Sequence, residues 1–236
     1  MEFSPRQKCF APGHGPECVA TGRPVERFFG ESQKSGCYRD QVKLRARLVL
    51  VLAFVLLLAF LADRWRRAHL ESSQDKNILA AARQHGVDPA LIKAVIWRES
   101  KFDPHARGTK GETGLMQIMD LTAREWADAQ RLNFFAPVLL RDPARNIDCG
   151  TWYLRKLLPR YAKTDDPVPY ALADYNAGRG NVLKWMKDEA ATNSAAFIER
   201  IGFPSTQAYV RAVMERREKY AGQWEGNSKS QTSNSK

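Results

Sequence analysis

The sequence has little cysteine, shows no internal repeat and has almost no alternating apolar pattern. Four cysteines in 236 residues are too few for a disulfide scaffold, and the spacings of Cys9, Cys18 and Cys37 match no compact metal knuckle. Hydrophobic residues make up 44% and charged residues 27%, which excludes wholesale disorder and collagen-like structure. One or two domains are expected, and we predict neither a metal site nor a cofactor.

The net charge of +11 first suggests an anionic partner, such as nucleic acid or an anionic lipid surface. Residues 71–236, however, contain 25 Lys and Arg against 20 Asp and Glu and carry only +5. Much of the basic excess therefore lies beside an apolar run, where anionic lipid headgroups account for it. We predict no nucleic-acid partner.

Residues 48–62 form this apolar run, LVLVLAFVLLLAFLA, which contains no charged residue. At ~1.5 Å per residue the run makes only ~22 Å of helix, short of the ~30 Å hydrocarbon core of a bilayer. Counting from Leu44 to Trp65 gives roughly 33 Å, provided that the flanking arginines reach the interfaces. We therefore predict a single transmembrane signal anchor over residues 42–67.

Two other interpretations of the apolar run stay open. A buried core helix would not need arginines at both ends or an apolar surface on every face. A signal peptide cleaved after Ala62 would need a small residue at position −3 of the cleavage site, where this chain has Phe60. Five basic residues precede the run and four follow it, which slightly favours an N-terminus inside the cell.

The two ends of the chain have the composition of tails. Residues 1–41 hold three of the four cysteines and many Gly and Pro without an apolar period, so a disordered N-terminal tail is predicted. Translation starting near Val42 is the alternative. Residues 222–236 are polar and rich in Ser, Asn and Lys, which predicts a disordered C-terminal tail.

Residues 74–221 have the pattern of one mostly α-helical domain. Asp88-Pro89 and Asp142-Pro143 each combine a helix N-cap with proline at the first helical position. Residues 122–125 (TARE) fit a capping box. The sequence therefore predicts helices that start at these points.

Glu99 is the candidate catalytic acid. Ile92, Val95 and Ile96 lie seven, four and three residues before it, so all four share one face of the helix. The glycine-rich segment 108–114 follows. A carboxyl group on an apolar face beside such a turn keeps its proton to a higher pH than an exposed one. For an isolated glutamate, an ordinary surface position at a helix end is the other interpretation.

Four motifs, in this order, resemble the catalytic domain of soluble-type lytic transglycosylases. They are Glu99-Ser100, Gly114-Leu115-Met116-Gln117-Ile118-Met119, Ala173-Asp174-Tyr175-Asn176-Ala177-Gly178, and residues 197–203 followed by Tyr209-Val210. The resemblance extends from Ile78 to Tyr220. Taken singly, the methionines could be core residues and the Tyr-Asn pair a turn cap.

The resemblance implies a lysozyme-like, mostly α-helical fold that cleaves the β-1,4 bond between MurNAc and GlcNAc in peptidoglycan glycan strands. It implies Glu99 as the single catalytic carboxylate, which first protonates the glycosidic oxygen. Glu99 then takes the proton of the muramoyl 6-hydroxyl, whose oxygen closes onto C1 to give a 1,6-anhydro sugar. Hydrolases of this kind use two carboxylates. No second one is obvious, although Asp103, Glu112 and Asp174 lie near the motifs.

The resemblance also implies five substrate-binding residues. Met116 and Gln117 would line the sugar subsites, Tyr175 and Asn176 would orient Glu99 and the sugar, and Glu199 would contact substrate or support the groove.

At several positions the chain departs from the family pattern. Gly108 stands where a serine is common, so a hydroxyl group is missing from the loop. Asp174 stands where alanine is usual, which adds a negative charge near the site. Gly202 replaces a proline, and residues 205–207 replace an acidic-Thr-basic triplet.

A peptidoglycan enzyme works outside the inner membrane. The resemblance therefore implies a single-pass protein of the bacterial inner membrane, with residues 70–236 in the periplasm and 1–43 in the cytoplasm. Two alternatives remain, namely a hydrolytic muramidase similar to goose-type lysozymes, which share this fold, and a non-catalytic glycan-binding module of an envelope machine. The sequence identifies no protein partner.

Overall fold

The computed structural model describes residues 34–132 and 136–233, with side chains from residue 43 to 224 outside the gap. The chain divides into two units, Met1–Leu58 and Ala59–Lys236. Its α-helices are α1 (Lys34–Ser73), α2 (Asp75–His85), α3 (Pro89–Ser100), α4 (Asp120–Ala129), α5 (Pro143–Leu157), α6 (Pro167–Ala177), α7 (Arg179–Trp185), α8 (Ser194–Arg200) and α9 (Pro204–Ser233). Short 3-10 helices cover Pro137–Arg141, Leu158–Tyr161 and Asp188–Ala191.

Helix α1 contains the apolar run, and its large side chains there stay exposed, from 49% for Leu58 to 69% for Leu50. A core helix would be covered, so that interpretation is wrong. Within the described ranges, one helix is long and apolar enough to cross a membrane. Helix α1 begins at Lys34, so the last residues of the predicted N-terminal tail are helical. The rest of that tail, residues 1–33, lies outside the described residues.

The helix starts in the second unit follow from their capping residues. The Asp88 side chain accepts a hydrogen bond from Ala90 N at 2.8 Å at the start of α3. The Asp142 side chain accepts one from Arg145 N at 2.9 Å at the start of α5, so both predicted Asp-Pro starts are confirmed. The predicted capping box at Thr122 is wrong, because α4 starts two residues earlier at Asp120.

The core of the second unit is built around α3, which packs against α9 and α2. Ile92, Val95 and Ile96 are fully buried, as the apolar face of α3 predicted. Helix α5 lies against α2 and α6. Its buried Asn146 accepts a hydrogen bond from Met116 N at 2.8 Å and thereby holds the loop between α3 and α4 against the core.

Helix α9 continues to Ser233, where composition predicted a disordered tail from residue 222. No proline interrupts residues 222–233, and the Gln, Glu and Lys residues in this segment have ordinary helix propensity. Residues 234–236 of the predicted tail lie outside the described residues.

Candidate active site

Glu99 is the penultimate residue of α3 and is partly buried. The helix ends directly after it because Lys101 and Phe102 take left-handed backbone angles, with φ of 53° and 67°. The Phe102 side chain is buried to 1% exposure, which stabilises this turn. The turn leaves Glu99 at the boundary between the core and the following loop.

Tyr209 provides the hydrogen bond that orients Glu99. Its hydroxyl group donates to Glu99 Oε1 at 2.7 Å. Tyr209 lies on α9, is only 3% exposed, and stacks below the guanidinium of Arg98 at 5.4 Å from the ring centre. Tyr209 belongs to the fourth motif, but local pattern does not predict its bond to Glu99, because 110 residues separate the two partners.

Burial raises the pKa of Glu99 from 4.5 to about 6. The Tyr209 hydrogen bond and the Arg98 charge lower this pKa, whereas the nearby carboxylate of Glu112 raises it. Desolvation has the largest effect, as the apolar face of α3 predicted. Glu99 is therefore a carboxyl group that exchanges its proton close to neutral pH.

The loop after Glu99 is closed by backbone hydrogen bonds. Thr113 and Ile118 pair through N–H···O bonds of 3.1 and 3.0 Å, and Gly114 N donates to Ala106 O at 2.9 Å. Gly114 has φ of 79°, and a Cβ atom there would lie 2.3 Å from Asn146 Nδ2. This position therefore requires glycine.

Gln117 helps to close this loop. Its backbone is left-handed, with φ of 47°, and its Nε2 donates to Gly114 O at 2.8 Å and Ala106 O at 3.2 Å. The side chain that was predicted to line a subsite thus holds the loop in shape.

Met116 is fully buried, so the prediction that its side chain lines an open subsite is wrong. Its sulfur packs against Gly150 of α5, where an added Cβ atom would lie 2.4 Å away. The core-methionine interpretation applies, because the loop folds this side chain inward.

Tyr175 and Asn176 do not bond to Glu99 in the described part of the chain. The Tyr175 hydroxyl donates to Met116 O at 2.7 Å, and Asn176 Oδ1 accepts from Thr206 Oγ1 at 2.8 Å. Burial raises the pKa of Tyr175 well above its ordinary value, and the charge of Glu99 raises it further. Tyr175 therefore lies near Glu99 but orients the loop, while Asn176 ties α6 to α9.

The carboxylates of Asp174 and Glu199, which the sequence places near the site, each form an ion pair with an arginine. Asp174 is buried and accepts hydrogen bonds from Tyr161 Oη at 2.7 Å and Arg160 Nη1 at 3.0 Å, so its charge is neutralised. Glu199 has a side chain 70% exposed and forms an ion pair with Arg211. Neither carboxylate is paired with Glu99.

Across the described ranges, no group of three His, Cys, Asp or Glu side chains is arranged to hold a metal ion. Two surface cavities of about 450 and 540 Å³ lie beside His85 of α2 and Asp148 of α5, respectively. Neither of these two cavities is lined by Glu99 or by another of the predicted site residues.

The family model described as Transglycosylase SLT domain matches residues 76–198, just over half of the chain. The chain belongs to this family, as its motifs indicated. It is 41% identical over 105 residues to membrane-bound lytic murein transglycosylase F of Desulfosudis oleivorans, covering 43% of this chain and 21% of that protein. It is 33% identical over 130 residues to the soluble lytic murein transglycosylase of Escherichia coli K12, covering 54% and 20%. The chain thus spans about a fifth of the length of these curated relatives.

Solved structures share the fold. An inactive mutant of the lytic transglycosylase Slt from Pseudomonas aeruginosa matches with a TM-score of 0.59 and 30% identity, over 64% of this chain and 24% of that one. The 70 kDa soluble lytic transglycosylase of E. coli matches with a TM-score of 0.54 and 28% identity, over 60% and 23%. The prediction of a mostly helical fold of this kind is confirmed.

Proposed function

We propose that this protein is a membrane-anchored peptidoglycan lytic transglycosylase, in which Glu99 cleaves the MurNAc–GlcNAc bond and leaves a 1,6-anhydro-MurNAc end. Family membership and the names of the relatives support the reaction class. The observation that carries the assignment to Glu99 is its partly buried carboxyl group, bonded at one oxygen by Tyr209.

In the first step Glu99 acts as the acid. Because Tyr209 donates to Oε1, the other carboxyl oxygen is the one to carry the proton. That proton passes to the glycosidic oxygen as its bond to C1 of MurNAc breaks. A pKa of about 6 suits this role, since about a tenth of the Glu99 side chains still hold their proton at pH 7.

In the second step the same residue acts as the base. Glu99, now ionised, takes the proton of the muramoyl 6-hydroxyl while the 6-oxygen bonds to C1. The Tyr209 hydrogen bond and the Arg98 charge stabilise this ionised form. An attacking group within the substrate needs no activated water, which accounts for a site with one acid–base residue.

The other predicted binding residues are assigned more modest roles. Gln117 and Tyr175 keep the loop after α3 in the shape that borders Glu99. Asn176 holds α6 beside α9. Glu199 is paired with Arg211, and its exposed side chain is accessible to a glycan strand. Met116 contributes through its backbone, which accepts a hydrogen bond from Tyr175 and donates one to Asn146.

The location we propose is the bacterial inner membrane, with α1 crossing once and residues 70–236 in the periplasm. The exposed apolar side chains of residues 48–62 support insertion, because hydrocarbon is the environment in which such a surface is favourable. A relative named as membrane-bound agrees with this.

Digestion of purified sacculi by the full chain in detergent, followed by mass spectrometry, tests the function. The expected products carry anhydro-MurNAc ends. The Glu99→Gln variant should bind sacculi without releasing any muropeptide products. Reducing MurNAc ends, heavier by one water, would indicate a hydrolytic muramidase instead. Binding without any release by the unchanged protein would indicate a non-catalytic glycan-binding module.

The proposed anchor is tested separately. A reporter fused after Lys236 should be active only in the periplasm, and the protein should stay in membranes through carbonate washing. A processed N-terminus near Ala62 in the soluble fraction would identify a cleaved signal peptide.

A further inference from the structure

A surface cavity of about 450 Å³ lies between α2, the end of α4 and α5, and the proposed reaction does not use it. Its volume is within the ~300–1,000 Å³ typical of small-ligand sites. The cavity is lined by Gln84, His85, Gln130, Trp152, Arg155 and Lys156. These side chains combine aromatic rings with groups that donate hydrogen bonds, and none of them belongs to the four motifs.

The cavity opens on the face of α5 that points away from the catalytic loop. Gly150 and Asn146 face that loop, since Gly150 contacts the Met116 sulfur and Asn146 accepts a hydrogen bond from Met116 N at 2.8 Å. Trp152 and Arg155 follow Gly150 by two and five residues. At ~100° per residue they lie roughly 200° and 140° around the helix axis from Gly150. A molecule in the cavity therefore lies across α5 from the loop that borders the catalytic carboxyl group.

Hydrogen bonds fix the walls of the cavity. His85 Nε2 and Asp148 Oδ1 are 2.6 Å apart, and Trp126 Nε1 donates to Asp148 Oδ2 at 3.0 Å. These three side chains belong to α2, α5 and α4, so Asp148 ties together the helices that form the cavity. The His85 side chain is only 3% exposed. The cavity is thus built into the packing of the helices and is already shaped for a ligand.

Arg155 is the cation of this cavity that is available to a ligand. Lys156 forms an ion pair with Glu125 on α4 and lies 5.5 Å from the centre of the Trp152 ring. The Arg155 side chain is exposed and, among the described residues, forms no ion pair and no side-chain hydrogen bond. The carboxylates that contact the cavity lining are Glu125 and Asp148, and both have partners of their own. The charge of Arg155 is therefore not neutralised by the described part of the chain.

Gln84 and Gln130 place two side-chain amides in the same cavity. Neither amide is bonded to another residue that the structure describes. A guanidinium group donates two parallel hydrogen bonds to a carboxylate, and amides bind the N–H and C=O groups of a peptide. The Trp152 ring adds an aromatic surface for an apolar side chain. Together these groups suit a short peptide that carries a free carboxylate.

We propose that this cavity is a second peptidoglycan-binding site, in which Arg155 binds a free carboxylate of a stem peptide. The choice of peptidoglycan as the ligand rests on the proposed function. The glycan chain itself offers the site no charge, whereas its stem peptides carry carboxylates. Because the cavity and the catalytic loop lie on different sides of α5, two parts of the polymer are bound at once, and simultaneous binding raises the affinity for a sacculus.

Binding to sacculi by the full chain in detergent tests this site. The Glu99→Gln variant serves as the parent, so that the sacculi stay undigested during the measurement. Adding Arg155→Gln should raise the Kd for sacculi, measured by co-sedimentation, about tenfold, because one charge-assisted contact is lost. Arg83→Gln is the matched control. Arg83 is an exposed arginine on α2 outside the cavity lining, and its replacement should change the Kd by less than about twofold.

Sacculi whose carboxylates have been converted to amides provide a second comparison. The parent should bind these sacculi more weakly than native ones, and Arg155→Gln should then make no further difference. An unchanged Kd for Arg155→Gln on native sacculi would overturn the proposal. So would an equal loss in Arg83→Gln, which would indicate attraction by net charge alone, or a loss of the same size that persists on the amidated sacculi.

This measurement does not depend on turnover. If the unchanged protein released no muropeptides, the proposed function would fail, and the Kd comparison would still decide whether the cavity binds stem-peptide carboxylates. If the protein released muropeptides and the Kd comparison showed no difference, only the second site would fail.

Discussion

Glu99 and Glu199 occupy equivalent positions, each one residue before the end of its helix, α3 and α8. Both receive their partner from α9, where Tyr209 and Arg211 are two residues apart. Glu99 is partly buried and bonded by a neutral hydroxyl group, whereas Glu199 is 70% exposed and paired with a guanidinium. The local sequence position is the same, and the surroundings are opposite.

The comparison shows what makes a carboxyl group into a proton donor. Burial disfavours the ionised form and raises the pKa of Glu99 to about 6, and a neutral tyrosine orients the group without adding positive charge. A guanidinium in the same place would keep the carboxylate ionised and unable to donate. Glu199, exposed to solvent beside Arg211, has the surroundings of an ordinary surface ion pair.

The largest expected effect separates the two glutamates by activity. Glu99→Gln should reduce muropeptide release by about 10²–10⁴-fold or more, because an amide cannot transfer the proton. Glu199→Gln should stay within a few-fold of the unchanged protein, since its exposed pair contributes little. Release from sacculi, measured by mass spectrometry, checks both. If Glu99→Gln retained more than about a tenth of the activity, Glu99 would not be the acid.

Replacing the partner of each glutamate on α9 should give the next largest difference between the two sites. Tyr209→Phe removes the hydrogen bond to Glu99, and loss of a hydrogen bond to a charged group costs about 1.5–3 kcal/mol, or roughly a 10–100-fold decrease in kcat. It should also move the alkaline limb of the profile of kcat/KM against pH to higher pH, because this bond lowers the pKa of Glu99. Arg211→Gln should leave both the rate and the limb unchanged. A Tyr209→Phe limb at lower pH would contradict the assigned contact.

Stability against pH should distinguish the two sites without substrate. Because the pKa of Glu99 is raised, the folded state holds this proton more tightly than the unfolded state. Its contribution is therefore fully present below about pH 4.5, falls as the pH rises to about 6, and is constant above that.

Glu99→Gln removes this titration, so the variant should be more stable than the original chain at pH 7, by about 2 kcal/mol. The difference should close near pH 4. Thermal melts at both pH values provide the measurement, with Glu199→Gln as the control in which an exposed rather than a buried carboxyl group is replaced. A Glu99→Gln variant that melts lower at pH 7 would mean that the site stabilises the carboxylate rather than the acid.

The smallest expected effect concerns the exposed pair itself. A double-mutant cycle of Glu199→Gln and Arg211→Gln should give a coupling of about 0–1 kcal/mol that shrinks as salt is added. Urea unfolding at low and high salt measures it. A coupling energy well above this range that does not depend on salt would indicate that the Glu199–Arg211 pair is less exposed to solvent than the structure shows.

Much of the framework could be predicted from local pattern. The Asp88 cap, the apolar face of Ile92, Val95 and Ile96, and the placement of Glu99 at its end depend on residues within one helix. The apolar run of residues 48–62, which is exposed in the structure, is likewise a feature of consecutive residues. Helical periodicity and capping act over a few residues, so the sequence alone contains them.

Local pattern did not predict the orientation of side chains whose partners are distant in sequence. Met116 turns into the core because Gly150 leaves room for its sulfur. The Tyr175 hydroxyl reaches the Met116 carbonyl, 59 residues away, rather than Glu99. Packing between helices decides the orientation of such a side chain, so a motif of neighbouring residues cannot predict it.

The sequence by itself determined the family, the helical fold class, the apolar segment that suits a membrane, and the glutamate at the end of an apolar helix face. Only the tertiary structure decided that Tyr209 holds Glu99, that Arg211 pairs with Glu199, and that Met116 turns into the core beside Gly150. The physical reason is that desolvation and hydrogen bonding depend on distances in space. Helices α3 and α9 acquire those distances only when they pack together.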